Sequence, residues 1–347
     1  MRKIAALGAF YIGRQHTDGQ TIKTNLITDW LAGKVGEDQV WRIDTYRRRT
    51  LLLFLPFLLL RALWNYRCFV FFLERRGFFL ITPLLDRINF FFRRPVHYIA
   101  VGGWLPDFLK ERPRYLPIVR RFAAVYVQAT LMKEMLEAQG LTNVVLLPNS
   151  RNFTPFHESD LVYFEKEPFP LCTFSRVAIE KGIGDAVEAV TRYNEEVGRT
   201  VFTLDIYGAV NPLQTGWFEE LQKGFPPSIR YRGIAPFERS REVVKNYYAL
   251  LFPSFIDREG MPGTIVDAFS AGVPVIATDL RYNKEWIFEN RTGLLFRKKD
   301  REDLLEKLRF IHQNPDLWNG MKRGILQEAE KYRMENVMKI LWERLEL

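Results

Sequence analysis

The chain has 347 residues, 47% hydrophobic and 26% charged, long enough for two separate cores and too apolar to remain disordered. Two cysteines and four histidines argue against a disulfide scaffold, and their spacing against a zinc site. The formal charge of +9 points to an anionic partner.

Met1-Arg2-Lys3 leads straight into a short strand over 2–7, with no long apolar leader, so no signal peptide is expected. The loop DGQTIKT (18–24) then opens a helix over 19–33, and a strand follows over 38–43. Residues 46–94 break the even spread of charge. They hold ten arginines, two acids (Glu74 and Asp86) and ten of the 28 phenylalanines. Within them, 51–60 is an unbroken apolar run flanked by Arg47, Arg48, Arg49 and Arg61. It is about half the ~20 residues that span a bilayer, and Pro56 is expected to interrupt it. A transmembrane helix is therefore not expected. The run and the clusters 78–81 and 90–92 suit a surface lying in the headgroups of an anionic membrane. A nucleic-acid partner is not expected, because the basic residues are arginines tied to aliphatic runs and no RRM or KH pattern occurs.

The first domain continues with strand 67–73, helix 79–92, strand 96–101, helix 115–119, strand 123–128, helix 130–138 and strand 143–147. Strand 96–101 ends in Gly102, Gly103 and Trp104. In parallel sheets ligands bind beyond the carboxyl ends of strands, so these three are acceptor-side candidates with Gly19 and Gln20. Trp104 fits either a platform for an acceptor or an apolar cap. His97 lies mid-strand, in core or cleft, and neither it nor His16 is assigned a catalytic role. Cys68 and Cys172 sit in apolar runs, as buried free thiols of a reducing compartment.

A hinge is expected over 151–165, a second domain over 166–330, and a terminal helix within 331–347. In LCTFSRVAIEKG (171–182) an apolar strand turns into a loop carrying Arg176 and Lys181, and a helix follows over 184–197. In EGMPGTIVDA (259–268) Glu259 and Asp267 stand eight positions apart around Pro262, Gly263 and Thr264, with an apolar helix from Gly263 and a buried strand over 273–278. Pro262 suits the first helical turn. The free N–H groups at that helix start form a ready phosphate site.

The last string resembles the E-x7-E signature of retaining glycosyltransferases of family 4, which have the GT-B fold. The upstream string resembles that family's R-x4-K-G. Here Asp267 replaces the second glutamate. The resemblance implies an α/β GT-B protein of two Rossmann-like, doubly wound parallel-sheet domains facing a central cleft. The first, over 1–150, binds the acceptor, and the terminal helix crosses back to it. It also implies roles. Arg176 and Lys181 neutralise the donor pyrophosphate, Glu259 orients the donor sugar, and Asp267 holds the ribose. Gly208, Gly233 and Ile234 lie near the nucleotide, as do Pro262, Gly263 and Thr264. The donor is a UDP-sugar, or else a GDP-sugar. No metal and no cofactor are implied.

The basic, apolar first domain extends this to a lipid-linked glycan acceptor, as in capsule or O-antigen assembly. It places the enzyme in the cytoplasm, peripheral on the inner face of the cell membrane. The competing readings are a soluble glycosyltransferase or sugar phosphate synthase on a small acceptor, and an inactive GT-B assembly partner. Intact Glu259, Arg176 and Lys181 argue against the inactive one.

Overall fold

A computed structural model describes residues 2–13, 18–46, 48–154 and 156–345, with backbone alone at 2 and 48–52. His16 and Arg47 lie outside the described residues. Two compact units result. One comprises residues up to Asn152, with Arg258–Met261 and the segment from Met334; the other comprises Phe153–Asp257 and Pro262–Arg333.

The first unit is built on β1 (Arg2–Gly8), β2 (Val40–Asp44), β3 (Tyr66–Phe72), β4 (Val96–Ile99), β5 (Ala124–Val127) and β6 (Val144–Leu146). They form one sheet in the order β2-β1-β3-β4-β5-β6, parallel throughout. Its helices are α1 (Gly19–Val35), α2 (Arg48–Asn65), α3 (Arg75–Phe92), α4 (Leu105–Glu111), α5 (Leu116–Arg120) and α6 (Thr130–Glu137). Strands such as β3 are apolar on both faces because helices cover both. The segment 68–73 is buried throughout. The apolar run 51–60 lies inside α2, which passes through Pro56 unbroken, contrary to the interruption expected there. Among the described residues no helix is long and apolar enough to cross a membrane.

The second unit carries β7 (Phe169–Phe174), α7 (Ile183–Val197), β8 (Phe202–Tyr207), α8 (Thr215–Lys223), β9 (Ile229–Gly233), α9 (Ser240–Val244) and β10 (Ala249–Phe252). After them come α10 (Gly263–Ser270), β11 (Val275–Thr278), β12 (Gly293–Phe296), α11 (Arg301–Gln313) and α12 (Pro315–Ala329). The sheet order is β12-β11-β10-β7-β8-β9, parallel throughout, the doubly wound arrangement in which strand order reverses between the first and fourth strands. That switch lies between β7 and β10, which pair through Leu171 and Cys172.

The last helix, α13 (Met334–Trp342), belongs to the first unit. Met334, Val337, Met338 and Leu341 are buried with Ile4, Ala6, Cys68 and Val70.

Candidate functional site

In the second unit, the two strands at the switch point lead into the two motifs. Helices diverge from a switch point to opposite faces of the sheet, which leaves a crevice beyond the strand ends. After β7 the chain runs through Ser175 and Arg176 and makes one turn of 3-10 helix, Ile179–Lys181. It then turns at Gly182, whose φ of 67° an L side chain rarely adopts. A Cβ there would lie 2.0 Å from the Pro253 carbonyl oxygen, so glycine lets this loop touch the one after β10. The Phe255 amide donates to the Glu180 carbonyl (2.8 Å) and closes the same junction.

Arg176 has a half-exposed side chain 3.6 Å from Glu180. The Lys181 ammonium stands 5.6 Å from the centre of the Phe252 ring. Gln214 holds the loop from behind: its Oε1 accepts from the Ile179 amide (2.7 Å) and its Nε2 donates to Glu180 (2.9 Å). The Gln214 Nε2 bond first, then a backbone hydrogen bond and the charges of Arg176 and Lys181, keep the Glu180 carboxyl below its ordinary pKa. Gly208, at the end of β8, approaches Ser175 so closely that a Cβ would fall 1.8 Å from its carbonyl oxygen. Gly233 ends β9 with φ 74° and open space beside it, and Ile234 next to it is exposed.

α10 begins with Pro262 at its N-cap, φ −67° and ψ 134°, one position before the first turn expected for it. No side chain caps the helix, and the buried Thr264 hydroxyl oxygen has no hydrogen-bond partner. The start at Gly263 therefore presents free backbone donors and the positive end of a helix. Asp267 lies in the second turn, 3% exposed. Its charge acts on Arg241 of α9 and offsets part of the burial that holds that guanidinium below its ordinary pKa. Arg241 also donates to the Thr154 and Ser270 carbonyls. Asp267 is thus buried among protein groups.

In the first unit, the strand-end residues form a second assembly. Asp18 caps α1 by accepting from the Thr21 amide (2.9 Å). Gln20 donates to the carbonyl of Phe72, the last residue of β3 (3.3 Å). Gly102 takes φ 75°, and the Gly103 amide donates to the Arg258 carbonyl (2.7 Å). The loop holding Glu259 is therefore seated on the turn after β4. Gly260 abuts Gln128, where a Cβ would lie 1.9 Å from the amide oxygen, and Asn149 donates to the Met261 carbonyl (3.1 Å). The division between units falls inside the acid motif, after Met261.

Trp104 is 7% exposed, packed against Phe78 and Phe108 with its indole N–H on the Val101 carbonyl. Of its two expected roles the structure gives it the apolar cap. His97 is fully buried in β4 with Nδ1 3.1 Å from the Tyr126 hydroxyl, and burial pulls it down to about 4. It is a core residue. Both cysteines are buried free thiols.

Two residues escaped the sequence reading. Asp44, at the end of β2, accepts from the amides of Phe10, Ile12 and Tyr46 and shapes the loop after β1. Lys23 is buried on α1, donates to the Ala100 carbonyl (3.2 Å), and is pulled down to about 7 by burial. A lone acid after a strand and a lone lysine in a helix carry no pattern that marks them.

Residues 169–314 match the family model described as Glycosyl transferases group 1. This stretch is similar to the group 1 glycosyltransferases. It contains the Arg176 and Lys181 loop and the whole of α10. Alpha-monoglucosyldiacylglycerol synthase of Acholeplasma laidlawii is 23% identical over 207 residues, 55% of this chain and 49% of that protein. The chain thus spans about half the length of this curated relative. Among solved structures, Anabaena HepE in complex with UDP superposes with a TM-score of 0.77 at 13% identity over 99% of both chains. Sucrose-phosphate synthase of Thermosynechococcus elongatus gives 0.73 at 14% over 99% of both. Likeness at these identities concerns the fold, which is GT-B, the α/β class expected from the sequence.

Proposed function

We propose that the protein is a retaining glycosyltransferase. It moves a sugar from a nucleotide-diphosphate sugar, a UDP-sugar first among them, to a lipid-linked glycan acceptor, peripherally on the inner face of the cell membrane. The observation that carries this reading is the pairing at one switch point of a cationic loop, Arg176 and Lys181, with the uncapped start of α10. In transfer, the bond from the anomeric carbon to the diphosphate oxygen breaks, and negative charge develops on the leaving diphosphate. Two fixed cations and a helix N-terminus stabilise that charge as it forms. The acceptor oxygen bonds to the anomeric carbon on the face the diphosphate leaves, and its proton passes to the departing phosphate. Glu259 would orient the sugar. Asp267 would hold the ribose, which its near-complete burial permits only after local rearrangement of the groups around α10.

The lipid-linked acceptor and the membrane setting are supported by the arginines and phenylalanines of 46–94. The positive potential supplied by Arg176, Lys181 and α10 does the work a divalent ion does elsewhere, so turnover should survive EDTA. A thermal-shift series with UDP-, GDP- and ADP-sugars tests the donor. Ligand at 100 times its Kd adds about 2.7 kcal/mol to the folded state. No shift with any of the three would overturn the reading.

A further inference from the structure

Two neighbouring helices of the first unit turn apolar side chains to water. α2 packs against α3 and β3 and buries Leu55, Leu59, Ala62 and Leu63. Its outer side carries Leu53, Phe57, Leu60 and Trp64, exposed by 79, 62, 44 and 69%. The spacings of four, three and four make one stripe three turns long. α3 buries Phe78, Ile81 and Leu85. It exposes Leu80 and Phe91, eleven residues and three turns apart on one face, with Phe90 beside them. Trp64 and Phe92 meet edge to face, ring centres 5.9 Å apart, and join the two stripes at their carboxyl ends. A surface helix of a water-soluble protein is polar on its outer side. Here both sides of α2 are apolar, and exposed apolar side chains grouped in this way mark an interaction surface.

Exposed basic residues outnumber exposed acids in the segment that carries the patch. Arg61 of α2, Arg76 and Arg87 of α3 and Arg93 at the end of α3 are exposed, whereas Glu74 is the one exposed acid among the described residues 53–94. Asp86 is held by Arg121 through two bonds of 2.8 and 2.6 Å. A second copy of this chain would set arginines against arginines. A bilayer rich in anionic phospholipid satisfies both halves of the patch: phosphates for the guanidinium groups and acyl chains for the rings.

We infer that the α2–α3 face is the membrane-docking surface. Leu53, Phe57, Trp64, Phe90 and Phe91 enter the acyl boundary, and the arginine rim holds anionic headgroups. This deepens the peripheral placement proposed above and rests on it, but not on the transfer chemistry.

The test uses the full chain with vesicles of phosphatidylcholine alone or with 30% phosphatidylglycerol. The wild type should bind the anionic vesicles at least about tenfold more tightly. The exposed-residue variant Phe57→Ser with Phe91→Ser, its folding checked by thermal unfolding, should bind about tenfold or more weakly at any salt concentration. Arg76→Glu with Arg87→Glu should weaken binding at low salt and lose most of its effect at high salt. Leu213→Ser, which alters an equally exposed apolar residue of the second unit, should bind as the wild type does. Binding equal among all variants, or no preference for anionic lipid, would overturn the inference. So would a dimer in solution that the phenylalanine variant makes monomeric without changing vesicle binding. Vesicle binding with no nucleotide-sugar shift would sink the transferase reading and leave this surface standing; turnover without vesicle binding would do the reverse.

Discussion

On the outer side of the second sheet, α7 and α11 meet water with charge and neutralise it. Arg301 pairs with Asp185 and Glu188, Arg192 with Glu302, and Arg309 with Glu196. In the first unit, α2 and α3 meet water with Leu53, Phe57, Trp64 and Phe91 and with arginines that far outnumber acids. Both pairs of helices cover parallel sheets of six strands, so the sheets do not account for the difference. A sheet constrains the inner side of the helix that covers it. The outer side answers to whatever lies beyond, which is water for α7 and α11. A membrane lying beyond α2 and α3, as proposed above, accounts for the difference.

The comparison predicts that chemistry and surface attachment can be broken separately. Arg176→Ala or Lys181→Ala should lower turnover by about two to three orders of magnitude, from loss of one donor to a developing anion worth about 3–4 kcal/mol. Glu259→Ala should reduce transfer at least as far with the fold intact. All three should keep wild-type vesicle binding. Steady-state kinetics beside co-sedimentation reads both, and near-wild-type turnover in the two cation variants would remove the phosphate role.

Gly208→Ala tests how tightly the crevice is built. The native φ of 136° and the 1.8 Å approach to Ser175 leave no room for a methyl group. Strained backbone of this kind costs about 1–3 kcal/mol before the clash is counted. The variant should unfold at lower urea and lose nucleotide affinity, and an unchanged midpoint would contradict the packing described.

Acid should loosen the two units in different pH windows. Burial lowers His97 from 6.5 to about 4. Its unfolded form therefore binds the proton first, and stability is lost as pH falls from 6.5 towards 4. In the second unit, Glu167 is lowered from 4.5 to about 2 by its bonds to Arg199 and His312. That contribution is present above 4.5 and lost as pH falls towards 2. Hydrogen exchange resolved by peptide should show β3–β5 loosening at higher pH than β7 and α7. His97→Phe should flatten the first response. Glu167→Gln should flatten the second and cost only about 0.5–1 kcal/mol at neutral pH, as exposed ion pairs do.

Much of this was legible along the chain. The alternation of strands and helices, the helix Gly263–Ser270, the loop of Arg176 and Lys181 and the apolar, arginine-rich stretch all follow from periodicity and spacing. These are local signals, set by neighbours a few residues away. The tertiary structure decided which of two admissible surroundings each residue received. Trp104 became a cap because Phe78 and Phe108 converge on it. His97 went to the core because its strand neighbours and Tyr126 surround it. The acid motif, continuous in sequence, was divided after Met261 because Gly103, Gln128 and Asn149 hold one half. Asn149 and Met261 are 112 positions apart. Burial and hydrogen bonding between such distant residues depend on how the strands are ordered in a sheet, and no window of neighbouring residues contains that order.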